Sequence, residues 1–149
     1  MKKPLTSPLT ADELAAWRGF RRMAEVISSL VAQQITAATG LSAADFAVLA
    51  HLRASGGAKR QRDMQTFLGW DKTRLSHQVT RMEGRGLVAK NAAGADGPEV
   101  QLTTEGRRRL EEALPVHQVN VHKFFASHLA PEDIAALRVV AQKLQDAIG

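Results

Sequence analysis

The stretch that decides the fold runs from Gly69 to Leu87 and reads GWDKTRLSHQVTRMEGRGL. Gly69-Trp70 is a turn. Asp71 has the form of a helix N-cap, a short side chain whose oxygen accepts from the exposed amides of the first turn. Behind it, Leu75, Val79 and Met82 recur at spacings of four and three, which is one face of a helix. Gly84 and Gly86 bracket the end. The other face carries Lys72, Thr73, Arg74, Ser76, His77, Gln78 and Arg81. A short helix with cationic and amide side chains near its N-terminus suits the major groove of a duplex, where such groups reach base edges and phosphates.

The residue types suggest roles. Arg74 has the fork that pairs with guanine O6 and N7, and Gln78 has the amide that pairs with adenine. Lys72, Thr73 and Ser76 are placed for phosphate oxygens, with His77 beside them. Arg81 is in reach of phosphate or a base edge. A preceding short helix is expected over residues 60–68, with Met64, Phe67 and Leu68 inward. Arg60 and Arg62 at its start would meet the backbone, because the first helix of a helix-turn-helix crosses it.

Outward from this segment the periodicity changes. Leu87 to Lys90 and Glu99 to Leu102 are two short strand candidates. The Gly- and Ala-rich run between them reads as a hairpin loop, which makes a small two-stranded wing. Lys90 lies at the end of the first strand, in reach of phosphate. Upstream, Ser42-Ala-Ala-Asp45 has the capping-box form and opens a helix through Phe46, Val48, Leu49 and Leu52. Thr10-Ala-Asp-Glu13 is a second such box. It opens a long helix whose inward stripe is Leu14, Trp17, Met23, Ile27, Leu30, Val31 and Ile35, stopped by Gly40. After Thr103 a helix resumes, with Pro115 inside it expected to bend it. Pro131 opens the last helix, whose stripe is Ile134, Leu137, Val140, Leu144 and Ile148.

The chain of 149 residues is expected to form one domain. Residues 41–103 form a winged helix-turn-helix, and 11–39 with 104–149 form the flanking helices. The fold class is mainly α with a small β wing. The terminal stripes offer more apolar surface than a small central module can cover. Two chains packing these helices together as a homodimer would bury it.

Charge is distributed unevenly. From Arg53 to Lys90 there are nine basic residues against three acids, a net +6, while the whole chain carries +5. The net positive charge therefore sits in the central segment, as a polyanion partner requires. A winged module that binds protein and not DNA is the alternative, and it has no need of that charge.

Several classes are excluded or disfavoured. With no cysteine, there is no disulfide framework, zinc ribbon or thiol switch. His117 and His122 are five apart, off a common helical face, so no metal and no cofactor is expected. There is no nucleophile elbow, phosphate-binding glycine loop or HExxH, so no catalytic residues are expected. No apolar run is long enough to span a membrane. MKKPLTSPLT lacks the apolar core of a secretory signal, and a cytoplasmic protein is expected.

WDKTRLSHQVTRMEGRGLV, a wing, and then LTTEGRRRL together resemble the MarR family of bacterial winged helix-turn-helix regulators. That family shows a recognition helix around a serine, then LExRGLV, a wing and LTxxG. Residues 41–110 match closely. The resemblance implies a homodimer with two recognition helices one duplex turn apart on a pseudo-palindrome. It also implies repression of transcription, relieved by a small aromatic or anionic effector held between the dimerisation and DNA-binding lobes. Trp17 and Arg21, one turn apart on the first helix, and His51 on the second are the candidate effector contacts. One departure stands out. Family wings carry an arginine after the tip aspartate, whereas here Asp96 is followed by Gly97 and Pro98. The absence of cysteine argues against the peroxide-sensing branch.

Overall fold

The computed structural model describes residues 7–92 and 97–149. In chain order it comprises α1 (Ala11–Thr39), α2 (Ala43–Ala54), β1 (Ala58–Arg60), α3 (Gln61–Leu68), α4 (Lys72–Gly84), β2 (Val88–Asn91), β3 (Glu99–Leu102), α5 (Thr104–Phe124), a 3₁₀ turn (Ala126–His128) and α6 (Pro131–Ile148). The wing-tip aspartate Asp96 lies outside the described residues.

The chain divides into two compact units, Ala32–Asn120 and Met1–Val31 with Val121–Gly149. The last turns of α1 and most of α5 therefore belong with the central lobe. Within that lobe Leu41, Val48, Leu49, Leu52, Met64, Leu75, Val79, Met82, Val100 and Leu110 are fully buried. The stripe 75, 79, 82 expected on α4 is thus core.

Both expected capping boxes are present. Thr10 and Glu13 exchange bonds of 2.8 and 3.1 Å, and Ser42 and Asp45 exchange bonds of 2.9 and 3.0 Å. Gly40, at φ 75°, takes the left-handed conformation that ends α1. The guanidinium of Arg109 donates to the carbonyl of Thr39, placing a cation at the negative end of α1. α5 continues through Pro115 as one helix.

The sheet has three strands, not two. β1 joins β3 antiparallel, with Lys59 opposite Val100, and β3 joins β2, with Lys90 opposite Val100. The order is β1-β3-β2. A three-residue strand shows no alternation in sequence, and Ala-Lys-Arg reads equally well as the start of a helix. The helix expected from residue 60 accordingly begins at Gln61.

Gly106 explains why the LTTEG and RGL motifs occur together. A Cβ at this position would stand 2.0 Å from the carbonyl oxygen of Leu87. Thr103 closes the same junction: its hydroxyl donates to the Gly86 carbonyl at 2.7 Å and accepts from the Gly106 amide at 2.9 Å. The start of α5 is therefore clamped onto the chain leaving α4, and only glycine allows the approach.

In the other unit the apolar stripes are open. Trp17, placed inward by its spacing, is 53% exposed, and Phe20 and Val26 on α1 are exposed as well. On α6, Ile134, Val139, Val140, Leu144 and Ile148 are all exposed. Leu137 is half-buried. No single helix among the described residues is long and apolar enough to cross a membrane.

Candidate nucleic-acid interface

Asp71 caps α4 as its sequence position requires, accepting from the amide of Arg74 at 2.8 Å. Gly69 ends α3 at φ 66°, which makes the tight turn between the two helices. With Leu75, Val79 and Met82 buried, α4 exposes Lys72, Thr73, Arg74, His77 and Arg81, while Ser76 is half-buried. These residues lie on the solvent side of one rigid helix.

Arg74 is held. Its guanidinium stacks over the indole of Trp70, 4.2 Å from the ring centroid. A planar cation over an aromatic face is attracted by the ring's negative π-face. Trp70 was read from sequence only as part of the turn. Its spacing of four from Arg74 was the available signal.

Gln78 corrects an expectation. As an adenine reader it would face out, but it is only 5% exposed. Its Nε2 donates to Asp45 Oδ1 at 2.7 Å, and its Oε1 accepts from Arg81 at 2.8 Å. Spacing pointed inward all along, since 78 is three from Leu75 and four from Met82; the polar residue type masked it. Both ends of the amide are engaged by the protein itself, so Gln78 does not present the outward-facing amide that pairing with adenine requires.

Asp45, legible in the sequence only as a helix cap, is the buried partner of Gln78. It is 3% exposed. Oδ2 accepts from the Ser42 amide at 2.9 Å and from Arg85 at 2.8 Å, and Oδ1 takes Gln78. Burial by itself would raise the carboxyl's pKa. The hydrogen bond and charge of Arg85, with the bonds from Ser42, outweigh it and leave the group below its usual 3.8. Partners 33 and 40 residues away leave no local signal.

Arg62 is exposed on the first turn of α3. Arg60, exposed too, closes β1 and sits just before α3, not within it. Phe67, expected inward on α3, is exposed, because its ring lies over His51 at the lobe surface. Lys90 is half-buried on β2, and its amide donates to Glu83 at 3.1 Å, tying the strand to α4.

The effector candidates line two different grooves. Trp17 and Arg21 border one of about 350 Å³ on α1, with Arg18, Arg22, Glu25 and Val26. Arg21 pairs there with Glu25 at 2.9 Å. His51 borders one of about 390 Å³ in the central lobe, with Lys59, Asp63, Thr66 and Phe67. Its ring stacks on Phe67 at 4.1 Å, and its buried Nε2 has no partner. Burial, and then the charge of Lys59, push its pKa below the usual 6.5. Among the described residues, no group of three metal-binding side chains occurs.

No family model and no curated protein matches the sequence. Solved structures do. AbsC, a MarR family transcriptional regulator from Streptomyces coelicolor, is 30% identical over 96% of this chain and 98% of its own, with a TM-score of 0.84. A second MarR family regulator from that organism, solved in complex with DNA, is 25% identical over 95% and 94%, with a TM-score of 0.85. BpsR of Bordetella bronchiseptica, whose DNA binding is regulated by 6-hydroxynicotinic acid, is 26% identical over 88% and 98%, with a TM-score of 0.77.

Proposed function

This chain belongs to the MarR family of transcriptional regulators, and from that premise we propose that it acts as a homodimeric repressor on a pseudo-palindromic operator. It is a DNA-binding transcriptional regulator and not an enzyme. The observation that carries the finer reading is the outward face of α4. Lys72, Thr73, Arg74, His77 and Arg81 are exposed together above a fully buried stripe. In this reading Arg74 reads a base edge, Lys72, Thr73 and Ser76 position the helix on phosphates, and His77 and Arg81 extend the contact. Arg60, Arg62 and Lys90 add backbone contacts to either side.

The dimer is supported by the uncovered apolar faces of α1 and α6. An exposed row of Val139, Val140, Leu144 and Ile148 on one helix has no use in a lone chain. A second copy related by a two-fold axis would cover it and would supply the second α4. The regulator works where the duplex is, in the bacterial cytoplasm. A small aromatic or anionic effector, accommodated by Trp17 and Arg21 or by His51, would release it. The regulation of BpsR by 6-hydroxynicotinic acid is one precedent among similar structures.

Selection from a random duplex pool tests the proposal. The expected product is an inverted repeat with half-site centres about 10 base pairs apart, or a multiple of that. Enrichment of a single unrepeated half-site would contradict the dimeric reading.

A further inference from the structure

Between the core and the duplex-facing side of α4 runs a buried chain of hydrogen bonds that neither helix capping nor packing requires. Capping α2 needs one oxygen of Asp45, and Oδ2 supplies it to the Ser42 amide at 2.9 Å. Oδ1 is free of that task and accepts from Gln78 Nε2 at 2.7 Å. The other end of the Gln78 amide accepts from Arg81 at 2.8 Å. We propose that Gln78, anchored by the buried carboxylate of Asp45, is a positioning residue that holds the Arg81 guanidinium ready for DNA.

Chemistry fixes the polarity of this chain. An ionised carboxylate only accepts and a guanidinium only donates. The group between them must present a donor inward and an acceptor outward, which a glutamine amide does. The amide therefore cannot flip: its Nε2 faces Asp45 and its Oε1 faces Arg81. A glutamate at 78 would set carboxylate against carboxylate. A buried carboxylate is tolerated only when its oxygens are engaged, and Arg85 at 2.8 Å completes the set around Asp45. Gln78 and Asp45 are both nine-tenths buried or more, so the bond between them is shielded from water, while the outer bond to Arg81 is part-buried.

Arg81 itself stays exposed. One nitrogen is spent on Gln78, and the remaining donors are left for phosphate or a base edge. Arginine loses much rotamer freedom on binding. A side chain already tethered loses less, which is how preorganisation gains affinity.

The inference rests on α4 being the helix that meets DNA, and a double-mutant cycle separates the two claims. The variants are Gln78→Met, which keeps length and helix propensity, Arg81→Ala, and the pair. Operator affinity is measured on the duplex selected from the random pool, with thermal melts confirming folded protein. Gln78→Met is expected to weaken binding about three- to tenfold, and to have no further effect once Arg81→Ala is in place. Ser42→Ala, which removes a cap bond on Asp45 but spares the relay, is expected to lower the melting temperature and leave affinity unchanged. In the free protein, 15N relaxation of Arg81 Nε should report an ordered side chain that becomes mobile in Gln78→Met.

An equal loss with and without Arg81 would overturn the proposal, and so would an Arg81 that stays ordered in Gln78→Met. If Arg81→Ala has no effect while Arg74→Ala does, the relay aims nothing and the proposal falls while α4 keeps its role. If neither matters, both readings fall.

Discussion

Replacing Arg74 with alanine is the perturbation the structure specifies most fully. The side chain leaves the first turn of α4, and its guanidinium lies 4.2 Å from the Trp70 ring centroid. A bidentate arginine–guanine pair is worth about 1–3 kcal/mol of discrimination. At a factor of ten per 1.4 kcal/mol, Arg74→Ala should weaken operator binding by about 5- to 150-fold and flatten preference at one base pair per half-site. Trp70→Leu removes the platform but keeps the reader. A stacked cation at an exposed site contributes about 0.5–1 kcal/mol, so a loss of about two- to fivefold is expected. Arg74→Lys keeps the charge and loses the planar fork. Affinity for random duplex should survive it, while discrimination at that base pair should not. Fluorescence anisotropy against the operator and every single-base variant of one half-site reads all three. Arg74→Ala with unchanged affinity and an unchanged preference profile would refute the assignment of Arg74 as the base reader.

Other expectations follow from burial, packing and charge. Gly106→Ala forces a methyl group onto the Leu87 carbonyl, a backbone atom that cannot yield cheaply. A loss of about 3 kcal/mol or more is expected, seen as a melting temperature lower by about 10 °C; an unchanged melt would show that the α5 junction gives way freely. Leu144→Asp puts a charge in the open stripe of α6 without disturbing the protomer core, and sedimentation should find monomers in place of the proposed dimer. An intact dimer would move the interface elsewhere. Asp45 has its pKa held below 3.8, so its paired charge stabilises the fold above that pH and the contribution is lost as pH falls through the lowered value. The stability gap between the parent and Asp45→Asn should therefore narrow as denaturant unfolding is taken below pH 3.8. A gap that stays constant down to pH 2 would contradict the pairing.

The parts of this molecule that were legible in the sequence are those whose determinants are local. α4 announces itself through Asp71, the 75–79–82 stripe and the glycines at its end. Both capping boxes, the Gly40 stop and Pro131 at the start of α6 act within four residues, and each is found where the pattern puts it. β1 was not legible, because three residues cannot display a period of two; its strand character comes from pairing with β3, about 40 residues on. Gln78 failed for a different reason. Its spacing matched the buried stripe, and its chemistry suggested the surface. The buried partner that reconciles the two is Asp45, which only the tertiary fold brings to it. Trp17 shows the converse: spacing gives the apolar side of α1, but not what lies against it, and in the single chain the indole is half open. The effector residues are grouped by resemblance to a family pocket; within their own units Trp17 and Arg21 border one groove and His51 another.

In the proposed interface, cations of β1, α3, α4 and the wing neutralise phosphates of a duplex. The salt dependence of operator binding measures this directly. With Arg60, Arg62, Lys72 and Lys90 as the proposed phosphate contacts, each protomer supplies four cations. Neutralised phosphates release counterions with a log–log slope of about −0.9 each. For the two protomers together, log K against log salt concentration should fall with a slope of about −7, reduced by about 2 in a Lys72→Ala dimer. A slope near zero, or one that Lys72→Ala leaves unchanged, would contradict the interface described for α4.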